Sequence, residues 1–128
     1  MLLAVCALFC GCQDVRTVWS AEARSPDGYW LASARTIQHS GPGTAGAESS
    51  VYLKRTADSS APLLVLGFLH HEDTLSSTIN LTMKWASPSH LEVTYDGRAA
   101  SLEFQAVKSN GVEISVRDVS GESSKGEN

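Results

Sequence analysis

Apolar residues return at every second position through most of the stretch from Thr78 to Val116. Ile79, Leu81, Met83 and Trp85 alternate with Asn80, Thr82 and Lys84. After Ala86-Ser87-Pro88-Ser89, residues Leu91, Val93 and Tyr95 alternate with Glu92 and Thr94. Asp96-Gly97 opens another turn, Leu102, Phe104 and Ala106 follow, and beyond Asn110-Gly111 come Val112, Ile114 and Val116. A period of two is that of a strand with one buried and one wet face. The pattern therefore predicts an antiparallel meander. Ile79, Leu81, Met83, Trp85, Leu91, Val93, Tyr95, Leu102, Phe104, Val112, Ile114 and Val116 should share one core.

The earlier chain extends this reading. A strand is predicted over 17–24 and its return over 29–38, around Ser25-Pro26-Asp27-Gly28. Proline presets φ for such a turn and glycine accepts positive φ. Residues 39–48 are rich in Gly, Ser and Ala and predict a hairpin loop, and 49–54 predicts another strand. Leu63-Leu64-Val65-Leu66-Gly67-Phe68-Leu69 is apolar throughout, which fits a strand covered on both faces or a short buried helix; Leu64, Val65 and Phe68 favour the strand, and Gly67 suggests a bulge. The last residues, 119–128, have little to bury and predict a disordered tail. The expected fold is all-β: about eight antiparallel strands in one domain over 17–118, forming a small sandwich or a partly closed barrel.

Composition narrows the function classes. The chain has 128 residues, enough for one domain, and a formal charge of −4. That mild charge gives no reason to expect a nucleic-acid partner. The hairpin Ser25-Pro26-Asp27-Gly28-Tyr29-Trp30-Leu31-Ala32 resembles the repeat of TolB-type β-propellers. It occurs once, whereas a propeller needs several blades, so it reads as a tight hairpin.

The N-terminal stretch Met1-Leu2-Leu3-Ala4-Val5-Cys6-Ala7-Leu8-Phe9-Cys10-Gly11-Cys12 carries no charge, and all three cysteines fall in it. A domain without further thiols cannot mispair in an oxidising compartment. Phe9-Cys10-Gly11-Cys12 resembles the lipobox of bacterial lipoproteins. Phe9 stands where that family usually has Leu, and no basic residue precedes the apolar run. The run is short, which implies a start upstream of Met1. The resemblance implies that residues 1–11 are a signal segment and that Cys12 carries the lipid. It further implies that 12–16 is a tether and that the domain is membrane-anchored in the cell envelope. Gln13 rather than Asp after the lipid-bearing Cys implies the periplasmic face of the outer membrane.

Candidate chemistry is sparse. His70-His71-Glu72-Asp73 is the one cluster of metal-ligating side chains, and His71-Glu72 opens like the metalloprotease H-E-x-x-H, but Leu75 takes the last position. On a strand His70 and His71 would face opposite ways. Gly41-Pro42-Gly43-Thr44-Ala45-Gly46 matches G-x-G-x-x-G, a fingerprint that needs a helix after it; a strand is predicted instead. Neither G-x-S-x-G nor S-x-x-K is present. Asn80-Leu81-Thr82 matches a glycosylation acceptor but falls within a predicted strand. Trp30, Tyr52, Trp85 and Tyr95 are candidates for an aromatic binding face, although such residues more often pack between strands. The expectation is a non-catalytic interaction or structural module with no cofactor, held to the membrane and meeting an envelope partner. The alternative is a small metal-dependent or hydrolytic enzyme using the His70–Asp73 loop.

Overall fold

The computed structural model describes residues 14–40, 46–57, 61–71, 79–106 and 108–120. Nine strands and no helix form among them: β1 (Asp14–Arg24), β2 (Trp30–Ser40), β3 (Gly46–Arg55), β4 (Leu63–His70), β5 (Thr82–Ser87), β6 (His90–Tyr95), β7 (Ala100–Gln105), β8 (Lys108–Ser109) and β9 (Val112–Asp118). They make a five-stranded sheet ordered β1-β2-β3-β4-β7 and a four-stranded sheet ordered β5-β6-β9-β8. The sheets do not close into a barrel; one apolar core joins them, so the fold is an all-β sandwich.

Local chemistry sets the first hairpin. The Ser25 hydroxyl donates to the Asp27 carboxylate (2.6 Å) and accepts the N–H of Trp30 (2.9 Å). The N–H of Gly28 donates to the Ser25 carbonyl at 2.8 Å, with Gly28 at φ 74°. This turn fixes Arg24 opposite Leu31, and β1 runs back from there to Asp14, three residues earlier than the pattern predicts. Asn110 and Gly111, at φ 53° and 81°, turn β8 into β9, as a tight hairpin requires.

Alternation then decides what is buried. On β2 it is Ala32, Ala34 and Thr36; on β3 it is Ala47, Ser49, Val51 and Leu53. The facing sheet contributes Leu91, Val93, Val112 and Ile114, and Ile79 and Leu81 join them from just before β5. The ring of Phe68 meets that of Tyr95 across the sheets, with centroids 4.7 Å apart. At the β1–β5 side, the Trp85 indole N–H donates to the Ala23 carbonyl at 3.0 Å. The single meander does not form. β7 leaves β6 and pairs with β4 in the other sheet, and β9 returns to pair with β6 in parallel, His90 opposite Glu113 through Tyr95 opposite Asp118. Period-two alternation requires an apolar face but is indifferent to which strand lies alongside. Ala99 and Ala100, where the chain passes from one layer to the other, are small and buried.

Two bulges correct the expected register. Val65 is the extra residue between the pairs Tyr52–Leu64 and Val51–Leu66, so Val65 and Leu66 are both buried. Glu103 is the extra residue between Phe68–Leu102 and Gly67–Phe104. Beyond it the alternation inverts, and Phe104 lies on the outer face, 47 % exposed, over Gly67. The other eleven residues expected in one core all pack into it, Leu102 from the five-stranded sheet. The apolar run of β4 is covered on one face only: Leu64 and Leu69 are exposed on the outer side.

The crossing turn after β6 is tied to the end of β9. The Asp118 carboxylate accepts the N–H groups of Gly97 (2.8 Å) and Ser120 (2.9 Å). A Cβ at position 97 would overlap that carboxylate, which is why glycine fits there. The Ser120 N–H, then that of Gly97, hold the Asp118 carboxyl below its ordinary 3.8. Burial, and then the charge of Asp118, raise the Tyr95 phenol above its ordinary value.

Two outcomes follow in solution. Leu81→Ala should cost about 2–5 kcal/mol in urea denaturation, and Phe104→Ala about 1 kcal/mol, because half its ring already faces water. The depressed Asp118 value contributes stability that is fully present well above pH 3.8, the unfolded value. It is lost as pH falls through the lower folded value. The thermal midpoint should therefore drop on acidification below about pH 4, and Asp118→Asn should shallow that drop.

Candidate functional site

The register of β1, β2 and β3 places one polar concavity on the outer face of the five-stranded sheet. The first turn sets Glu22 opposite Ser33 and Ser20 opposite Arg35; the next pairing sets Ser33 opposite Tyr52. These side chains, with Pro62 ahead of β4, line a pocket of about 620 Å³. Ala21 and Ala34 complete the lining, so small residues and the longer Glu22, Arg35 and Tyr52 share one concavity. The Arg35 guanidinium lies 5.1 Å from the centre of the Tyr52 ring and donates to the Tyr52 hydroxyl at 3.2 Å. That stacking orients the cation without neutralising it. A smaller concavity, about 340 Å³, lies on the four-stranded sheet between β6 and β9, near Glu92, Thr94, Ser115 and Arg117.

The aromatic candidates do not form one face. Trp30 meets Tyr29 edge-on at 5.1 Å and packs against the core, as do Trp85 and Tyr95. Of the four, Tyr52 alone belongs to the outer pocket. Ser20, Glu22, Ser33 and Arg35 were not singled out by any motif. The signal that finds them is the turn at Ser25–Gly28, which fixes the hairpin register and with it the residues that share the wet face.

The histidine cluster divides. His70 is the last residue of β4 and only 6 % exposed; its Nε2 shares a hydrogen bond with the Ser49 hydroxyl (2.7 Å), which in turn bonds the Thr36 hydroxyl (2.6 Å). His71 faces outward, with Nδ1 3.0 Å from the Arg98 carbonyl and Nε2 3.0 Å from the Ser101 hydroxyl. Consecutive residues at a strand end point to opposite faces, so these imidazoles do not converge. Glu72 and Asp73 lie outside the described residues, as do Cys12, the segment 1–11, loop residues 41–45 and the tail 121–128. Among the described residues no three His, Cys, Asp or Glu gather as a metal site. The element after the glycine-rich stretch is the strand β3, not the helix a phosphate-binding fingerprint needs.

The Thr36–Ser49–His70 row spans three neighbouring strands at the inner face, and fully buried Ser49 has no route to a substrate. It acts as a polar tie within the core. No protein-family model, curated protein or solved structure matches this chain.

Ser49→Ala removes one buried hydrogen bond from each of its neighbours, Thr36 and His70. The expected loss is about 1–3 kcal/mol in chemical denaturation, with the outer pocket unaffected.

Proposed function

We propose that this chain is a lipid-anchored bacterial envelope protein, a non-catalytic interaction module displayed on the periplasmic side of the outer membrane. One observation carries the reading: an uncharged apolar run ends in Phe9-Cys10-Gly11-Cys12, and β1 begins two residues later at Asp14. Acylation of Cys12 supplies the anchor. One acyl chain binds a bilayer only marginally, so several are needed for stable attachment. Two residues of extended chain reach about 7 Å, so the start of β1 would be held close to the bilayer surface. A rigid sandwich with a preformed outer pocket suits recognition: register fixes its side chains, and no part must move to assemble the site.

Mass spectrometry of protein taken from the native membrane tests this. The expected mature N-terminus is an acylated Cys12, and Cys12→Ser should move the protein to the soluble fraction with its thermal midpoint unchanged. An unmodified Cys12, or a mature chain that still carries residues 1–11, would refute the proposal.

A further inference from the structure

Glu22 and Arg35 are diagonal neighbours on β1 and β2, since Arg35 pairs with Ser20 two residues away from Glu22. Cα atoms in that relation lie about 7–8 Å apart, within reach of a direct ion pair. Among the described residues none joins them; Arg35 is turned onto Tyr52 instead. Two opposite charges thus line one concavity together with two hydroxyl groups. Only one hydrogen bond of the guanidinium is spent on Tyr52, and the remaining N–H groups are ready for a carboxylate.

We propose that this pocket binds a free α-amino acid, with the ligand's carboxylate on Arg35, its ammonium on Glu22, and the Ser20 and Ser33 hydroxyls beneath both. The charges decide the class. An uncharged ligand such as a sugar would strip water from two separate ions and return no opposite charge to either, whereas a zwitterion satisfies both. Size decides the type of zwitterion: a pocket of about 620 Å³ suits a small molecule that carries both charges, as a free amino acid does, rather than an extended peptide. The volume, about 620 Å³, exceeds what the head group fills and leaves room for a side chain between Tyr52 and Pro62. This assignment gives the interaction module its ligand class without depending on the lipid. Cys12 could prove unmodified and the pocket would still bind, and an empty pocket would leave the anchor untouched.

The experiment is an NMR titration of the isotope-labelled full chain in mild detergent. Free leucine is the probe; N-acetyl-leucine, leucinamide and maltose are the comparisons. Leucine should shift the amides of Ser20, Glu22, Ser33, Arg35 and Tyr52 saturably. Each blocked form, lacking one charge, should bind at least about tenfold more weakly. Arg35→Gln and Glu22→Gln should each weaken leucine by a similar factor with the thermal midpoint unchanged. Both side chains are exposed, and if one variant nevertheless fails to fold, the blocked ligands and the other variant decide the matter. Absence of saturable shifts, equal binding of the blocked forms, or shifts with maltose but not with leucine would each overturn the assignment.

Discussion

Everything in this molecule depends on two half-apolar sheets covering each other. Each strand carries its apolar side chains at alternate positions, so each sheet alone would leave a face in water at a cost proportional to its area. Stacked, Leu53, Leu66 and Phe68 of one layer meet Leu91, Val93 and Ile114 of the other in a single cluster. Ladder hydrogen bonds hold strands within a layer; between layers the work is done by packing, with a few polar ties. The indole of Trp85 on the Ala23 carbonyl is one such tie, at the β1–β5 side. Within the five-stranded layer, the Thr36–Ser49–His70 row carries polar groups into the core with each partner satisfied, which is the condition for burying them at all.

The chain's path follows from the same demand. Strand β4 needs a neighbour on its free side, and β7 supplies it; β6 then takes β9, which runs the same way because an intervening strand has crossed to the other layer. The crossing is pinned by Asp118, whose carboxylate holds the Gly97 and Ser120 amides and joins the turn after β6 to the end of β9. Bulges at Val65 and Glu103 adjust the register on either side of β4. They turn one extra residue inward and Phe104 outward. This leaves Leu64, Leu69 and Phe104 as an exposed apolar strip beside Gly67.

The outer face is where the fold is free to specialise, since its side chains contribute little to the core. Across β1, β2 and β3 it sets two serines among Glu22, Arg35 and Tyr52, and these side chains line one concavity. Arg35 stacked on Tyr52 gives that concavity a cation held by its aromatic neighbour. Such a site is set by register rather than by loops, and its geometry is as rigid as the strands that carry it.

Much of this was legible in the chain as written. Alternation from Thr78 onward gave the all-β class, the strands and eleven of the twelve core side chains expected there, because burial of one face imposes period two on any sheet. Ser25-Pro26-Asp27-Gly28 and Asn110-Gly111 marked their turns through φ preferences that are local. The opposed directions of His70 and His71 also followed from the period alone. Strand neighbours could not be read: a parallel β6–β9 pair and an antiparallel meander present the same alternation. Nor could the bulge at Glu103, a property of the pairing between β4 and β7 rather than of either strand, and it was this bulge that put Phe104 in water. The pocket was legible only in part. The turn at Ser25–Gly28 sets Ser20 and Glu22 against Ser33 and Arg35, but Tyr52 joins them only when β3 aligns with β2, and that alignment is a long-range event that the tertiary structure alone decides.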